Sequence, residues 1–112
     1  MIYIASPYTS VNPAVMQQRY EAVRAYNAYL LGQGQYAYSP IVHCHDMALA
    51  YELPKDATYW RNFNQHMLGL ARSIHILMLP GWEKSIGVRE EILFAQDHDK
   101  FIRFENEDYS KY

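Results

Sequence analysis

Apolar residues in this chain follow two rhythms. Short apolar runs stopped by Pro or Gly alternate with longer stretches whose apolar positions recur every three or four residues. The first rhythm marks buried strands and the second amphipathic helices. Ile2 to Ala5 is such a run and ends at Ser6-Pro7, which predicts a strand and its exit loop. Asn12-Pro13 supplies an N-cap and a first-turn proline for a helix running to about Leu31, with Gly32 as its C-cap. Met16, Tyr20, Val23 and Leu30 outline the buried face of that helix, and Arg19 and Arg24 read as solvated. Gln35 to Ser39 predicts a second strand stopped by Pro40. Ile41 to Tyr51 is hard to type; Pro40 to His45 follows a strand's carboxyl end and reads as loop lining a pocket. Leu53 to Asp56 is a connector, with Asp56 capping a helix from about Ala57 to Ala71 that carries Trp60, Phe63, Met67, Leu68 and Leu70.

The next segment organises the rest. Ile74, Ile76, Leu77, Met78 and Leu79 are stopped by Pro80-Gly81, the pattern of a central parallel strand. Ser85 and Gly87 stand where the following helix begins, with backbone N–H groups free to meet an anion. Val88, Ile92 and Ala95 form the apolar stripe of that helix at about 100° per residue. Glu91 falls roughly 60° from the centre of the stripe and Glu90 nearly opposite it. Glu90 is thus expected in solvent and Glu91 at the edge of the core. A carboxylate there is expensive unless compensated, so it either pairs with a cation such as Arg89 or serves chemistry. Phe101 to Phe104 predicts a last strand, and residues 105–112 a polar, mobile tail. The succession implies a small three-layer α/β domain, Rossmann-like or flavodoxin-like. About four to five parallel strands carry helices on both faces with right-handed crossovers.

Composition narrows the partners. A chain of 112 residues makes one domain with a single core. Its net charge of −2 offers no basic footprint, so nucleic acid is not an expected partner. No apolar run is long enough to cross a membrane, and the first residues lack a basic region followed by an apolar block. The single cysteine, Cys44, excludes an internal disulfide and suits a reducing cytoplasm. Eleven tyrosines are many for this length and belong at amphipathic surfaces, interfaces or a ring-binding pocket. His43-Cys44-His45-Asp46 has the residue types of a metal site. No Cys-x-x-Cys or His-Glu-x-x-His accompanies it, so neither metal nor cofactor is expected.

Ser85-Ile86-Gly87-Val88-Arg89-Glu90-Glu91 resembles the Ser-x-Gly-Val-x-x-Glu signature of the nucleoside 2-deoxyribosyltransferase-like superfamily. The superfamily includes nucleoside deoxyribosyltransferases and deoxynucleoside monophosphate N-glycosidases. Met1-Ile2-Tyr3-Ile4-Ala5-Ser6-Pro7-Tyr8, Ser39-Pro40-Ile41-Val42-His43 and Gly81-Trp82-Glu83-Lys84-Ser85 resemble segments of a small bacterial and phage family of unassigned function within it. The resemblance covers nearly the whole chain. It implies a cytoplasmic protein, in the host's cytoplasm if phage-encoded, and a homodimer, because the resembling families complete their pockets with neighbouring subunits.

The resemblance also assigns roles. Glu91 matches the family's nucleophile, which attacks or stabilises an oxocarbenium-like sugar as an N-glycosidic bond breaks. The loop after the first strand approaches the nucleoside in those families, making Tyr3, Ser6, Pro7 and Tyr8 candidates, although Tyr3 reads equally as a packed strand tyrosine. His43, Trp60, Gly81 and Trp82 complete the expected pocket, and Ser85 with Gly87 matches a 5'-phosphate site. Two positions depart from the pattern. Asn64 falls where the wider family often has a catalytic Asp, and Arg72 where an Asp commonly precedes the central strand. An amide cannot act as a general acid, so two functions stand side by side. One is nucleoside or nucleotide N-glycosidic cleavage, by hydrolysis or deoxyribosyl transfer. The other is non-catalytic nucleotide binding by the same fold.

Overall fold

A computed structural model of the chain describes residues 1–54 and 57–111. In chain order it contains β1 (Ile2–Ala5), α1 (Pro13–Gly32), β2 (Ala37–Tyr38), α2 (Pro40–Ala50), α3 (Ala57–Leu70) and β3 (Ser73–Leu77). A 3-10 turn over Trp82–Lys84 leads into α4 (Ile86–Asp97), β4 (Phe101–Glu105) and a last 3-10 turn over Tyr109–Lys111. The strands form one parallel sheet in the order β2-β1-β3-β4. This is an α/β fold with helices around the sheet, as the hydrophobic pattern predicts. None of the helices among the described residues is long and apolar enough to cross a membrane.

Alternation along the strands builds two cores. Tyr3, Ala5, Ile74 and Ile76 point to one side and pack with Leu68 and Ala71 at the end of α3 and Val88 and Ala95 of α4. Ile4 and Leu77 point to the other side and pack with Val23, Tyr26 and Leu30 of α1. Ile4, Ile74, Ile76 and Leu77 are completely buried. Each contributes roughly 1.5–3 kcal/mol on leaving water, which makes β1 and β3 the anchor of the sheet. Strand order reverses between them: from β1 the chain crosses to β2 on one side, then returns to β3 on the other. The carboxyl ends of β1 and β3 therefore flank a topological switch point, the usual ligand crevice of such sheets.

Several local expectations are corrected. The second strand is only Ala37–Tyr38, and Pro40 to His45 is helix rather than loop. Ser39 caps α2 by accepting from the Val42 N–H at 3.2 Å, with Pro40 at the first helical position. The proline that stops the strand starts the helix. Gly32 is the last residue of α1, Gln33 is its cap, and the left-handed turn falls on Gly34 at φ +79°. Arg19 is not simply solvated. Its guanidinium donates to the Thr9 carbonyl at 3.0 Å and to the Pro80 carbonyl at 3.2 Å, tying the loops after β1 and β3 together. Glu105 belongs to β4, and Tyr109 packs edge-on against Tyr26 and Tyr29. The expected cap Asp56 lies outside the described residues.

Candidate functional site

Glu91 sits on the second turn of α4, one residue round from the stripe that α4 buries against the sheet. Among the described residues its partner is neither Arg89 nor another cation. The Tyr3 hydroxyl, on β1, donates a hydrogen bond to its carboxylate. Burial pushes the Glu91 carboxyl up to about 8, against the lowering effect of the Tyr3 bond and with a smaller push from Glu90. Tyr3 is fully buried, and that burial, followed by the Glu91 charge, raises its phenol well above the ordinary range. Tyr3 therefore stays a proton donor throughout the accessible pH range. Glu90 is not a free surface charge either. Arg61 of α3 grips it in a two-pronged ion pair at 2.6 and 2.9 Å.

A second layer surrounds this pair. Tyr38, at the end of β2, lies with its ring centroid 6.0 Å from that of Tyr3. Burial raises its phenol, and the nearby Cys44 and Glu91 add to the effect. Burial likewise raises the Cys44 thiol. Cys44 also lines a small cleft of about 50 Å³ between α2 and α3, walled further by Tyr8, Pro40, His45, Trp60 and Asn64. The Ser6 and Tyr38 hydroxyls and the Asn64 amide oxygen are buried and make no hydrogen bond. Native interiors rarely leave such groups unpaired; Tyr38 lies near Glu91 and Asn64 lines the cleft, so both offer places for polar ligand atoms or water.

The expected site residues divide. Tyr8, Trp60 and Asn64 line the cleft. Tyr3 and Glu91 are hydrogen-bonded to each other and are not part of its wall. Ser6 and Pro7 are buried where β1 ends. His43 is exposed on α2, its ring parallel to that of Phe63 at 6.2 Å. Gly81 makes the turn after β3 at φ +90°, where an added Cβ would meet the Arg19 guanidinium at 2.8 Å. Trp82 lies against Phe104 of β4 and lines a different groove, with Arg89 and Leu93. Ser85 caps α4 by accepting from the Val88 N–H at 3.2 Å, and Gly87 is in the first turn. The N–H groups of Ile86 and Gly87 precede the first intrahelical bonds of α4.

Of the stretch Pro40 to His45 expected to line a pocket, Pro40, Ile41, Cys44 and His45 do line the cleft, in a helix rather than a loop; Tyr38, beside Tyr3, has no signal in motif spacing. His45 is buried, hydrogen-bonded to the Tyr8 hydroxyl at 2.6 Å and stacked on Tyr20 at 3.8 Å. A capped helix starting at Ser39-Pro40 would have brought Cys44 and His45 inward. His43 and His45, two apart on α2, face opposite ways, one exposed and one buried. Among the described residues no three His, Cys, Asp or Glu side chains converge as a metal site would require. Purified protein is expected to contain less than stoichiometric zinc by elemental analysis. Stoichiometric zinc lost on His43→Ala would overturn this.

Residues 1–106 match a family described as a domain of unknown function, DUF1937, and the chain belongs to that family. No curated protein matches it.

Proposed function

We propose that this member of the DUF1937 family binds a nucleoside or nucleotide at the switch point and cleaves its N-glycosidic bond through Glu91. The observation that carries this is the Tyr3–Glu91 hydrogen bond, in which a fully buried phenol holds the carboxyl of a half-buried glutamate. The resemblance of 85–91 to a deoxyribosyltransferase-like signature supplies the reaction. In it the Glu91 carboxylate attacks the anomeric carbon, and the bond to the base breaks with its electron pair left on the base nitrogen. Water or a second base then displaces Glu91 from the sugar, restoring the carboxylate. The departing base takes a proton from solvent, or leaves as an anion where it is already a good leaving group, because Asn64 cannot give one; an attacking water loses its proton to solvent.

The site is narrow. Its cleft holds about 50 Å³, against roughly 300–1,000 Å³ in occupied small-molecule sites. Entry of a nucleoside therefore requires the walls of this cleft, α2 and α3, to part. Binding without chemistry is the second function, favoured by two observations. Asn64 is an amide, and a carboxyl with a pKa of about 8 is mostly neutral at pH 7. Incubation with a panel of deoxynucleosides and their 5'-monophosphates, with free base followed by chromatography, separates the two. Saturable binding with no base released from any of them would leave binding alone.

Ser85 and Gly87 carry a further expectation. The first turn of α4 offers N–H groups to an anion after a strand end, so a 5'-monophosphate is expected to bind about tenfold or more tightly than its nucleoside. Ser85→Asp keeps an N-cap acceptor and should weaken only the monophosphate. Equal affinities in the unmodified chain would sink the idea.

A further inference from the structure

We infer that the chain pairs with a second copy of itself along the β4 edge, antiparallel and centred on Phe104. This rests on the sheet alone and is independent of the chemistry at Glu91. The sheet has two edges and they differ. On one side β2 contributes two residues; on the other β4 contributes five, Phe101–Glu105, with Phe101 76% and Phe104 48% exposed. An open edge of that length with exposed aromatics is a template for strand addition.

The hydrogen-bond parity of β4 fixes which groups are available. The Phe101 N–H donates to the Arg72 carbonyl and the Glu105 carbonyl accepts from the Met78 N–H, so odd-numbered residues are spent on β3. Ile102 and Phe104 therefore turn their N–H and carbonyl groups outward. A two-fold axis at residue 102, 103 or 104 can use these groups, and charge chooses among them. Centred on Arg103, the pairing sets Arg103 against the partner's Arg103. Centred on Ile102, it sets Arg103 against the partner's Phe101. Only the axis at Phe104 places Arg103 opposite the partner's Glu105, and does so twice. These fall on the closer, non-hydrogen-bonded positions of an antiparallel ladder, with Cα atoms about 4.5 Å apart. Phe104 then faces the partner's Phe104 on the side where Trp82 already lies against it at 5.7 Å. The occupant that this edge fits is its own copy.

Charge reversal tests the register. Sedimentation of the full chain at micromolar concentration is expected to give a dimer. Arg103→Glu and Glu105→Arg should each weaken it about tenfold or more, since each sets like charges opposite one another twice. Mixed in equal amounts, the two variants should associate again, because each position then meets its opposite charge. Within one chain Arg103 and Glu105 already pair at 2.8 Å, and mixing cannot repair that bond, so recovery reports contact between copies. A monomer at all concentrations, a dimer indifferent to both reversals, or no recovery on mixing would overturn the inference. Should either variant fail to fold by circular dichroism, amide exchange in the unmodified chain decides. The Phe104 N–H should gain protection as protein concentration rises, and concentration-independent exchange there would overturn the pairing.

Discussion

Glu91→Gln is expected to abolish release of free base from a deoxynucleotide, by about a thousandfold or more, while leaving fold and ligand binding in place. Gln keeps the shape of the neutral acid and still accepts from the Tyr3 hydroxyl, but it cannot form a glycosyl ester. Glu90→Gln is the control. It loosens an ion pair with Arg61 on the outer side of α3 and α4 and should leave base release unchanged within about twofold. The pH dependence carries a sign. Attack needs the carboxylate, and burial holds the Glu91 carboxyl near 8, so kcat/KM of the unmodified protein should rise with pH and level off above about 8. Tyr3→Phe removes the bond that lowers this value and should move the rise to higher pH. An adduct with a 2-fluorinated arabinosyl nucleoside, located on Glu91 by mass spectrometry, would identify the nucleophile directly. Base release that survives Glu91→Gln and disappears with Glu90→Gln would refute both the helix phase and the role.

The part of this site that sequence shows is the part set by a single element. The phase of α4 separates Glu91 from Glu90 because Val88, Ile92 and Ala95 are spaced clearly enough to fix the buried side. The strand pattern around Ile74 and Ile76 similarly fixes the sheet and its switch point. What is illegible depends on two elements meeting. Nothing in the surroundings of Arg19 reveals that it reaches Pro80, sixty-one residues away, and an arginine on a helix defaults to solvent. The partner of Glu91 is on β1 rather than at a helical i+4 position, and that of Glu90 is on α3. Ser39-Pro40 is ambiguous by its chemistry, since proline both ends strands and opens helices; the serine before it is the signal for the second. The place of Pro40 to His45 beside a pocket is legible, but without α2 the choice of Cys44 and His45 as inward residues and His43 as an exposed one is not, because it depends on helical spacing. Trp82 shows the converse: adjacent in sequence to Gly81 and close to Ser85, it is drawn away by an aromatic partner on β4.

The protein is also expected to lose stability as pH rises from about 4.5 towards 8, and Glu91→Gln to remove that loss. In the unfolded chain Glu91 titrates near its ordinary value of 4.5, and in the folded chain near 8. The folded state thus holds this proton more tightly. Its contribution to stability is complete below about 4.5, declines between the two values, and is gone once pH passes the folded value. At roughly 1.4 kcal/mol per pH unit, partly offset by solvent relaxation around the charged form, the loss is on the order of a few kcal/mol. The physical cause is burial of the carboxylate, which the Tyr3 bond offsets only in part and which no cation among the described residues meets. Gln at this position never ionises. Urea denaturation at pH 5, 7 and 9 should therefore show the variant close to the unmodified protein at pH 5 and more stable than it at pH 9. Comparing the two proteins at each pH cancels the titration of the histidines and of the other carboxylates. Parallel curves, or a variant weaker at pH 9 than at pH 5 relative to its parent, would mean that Glu91 ionises in water and that the Tyr3 bond does not enclose it.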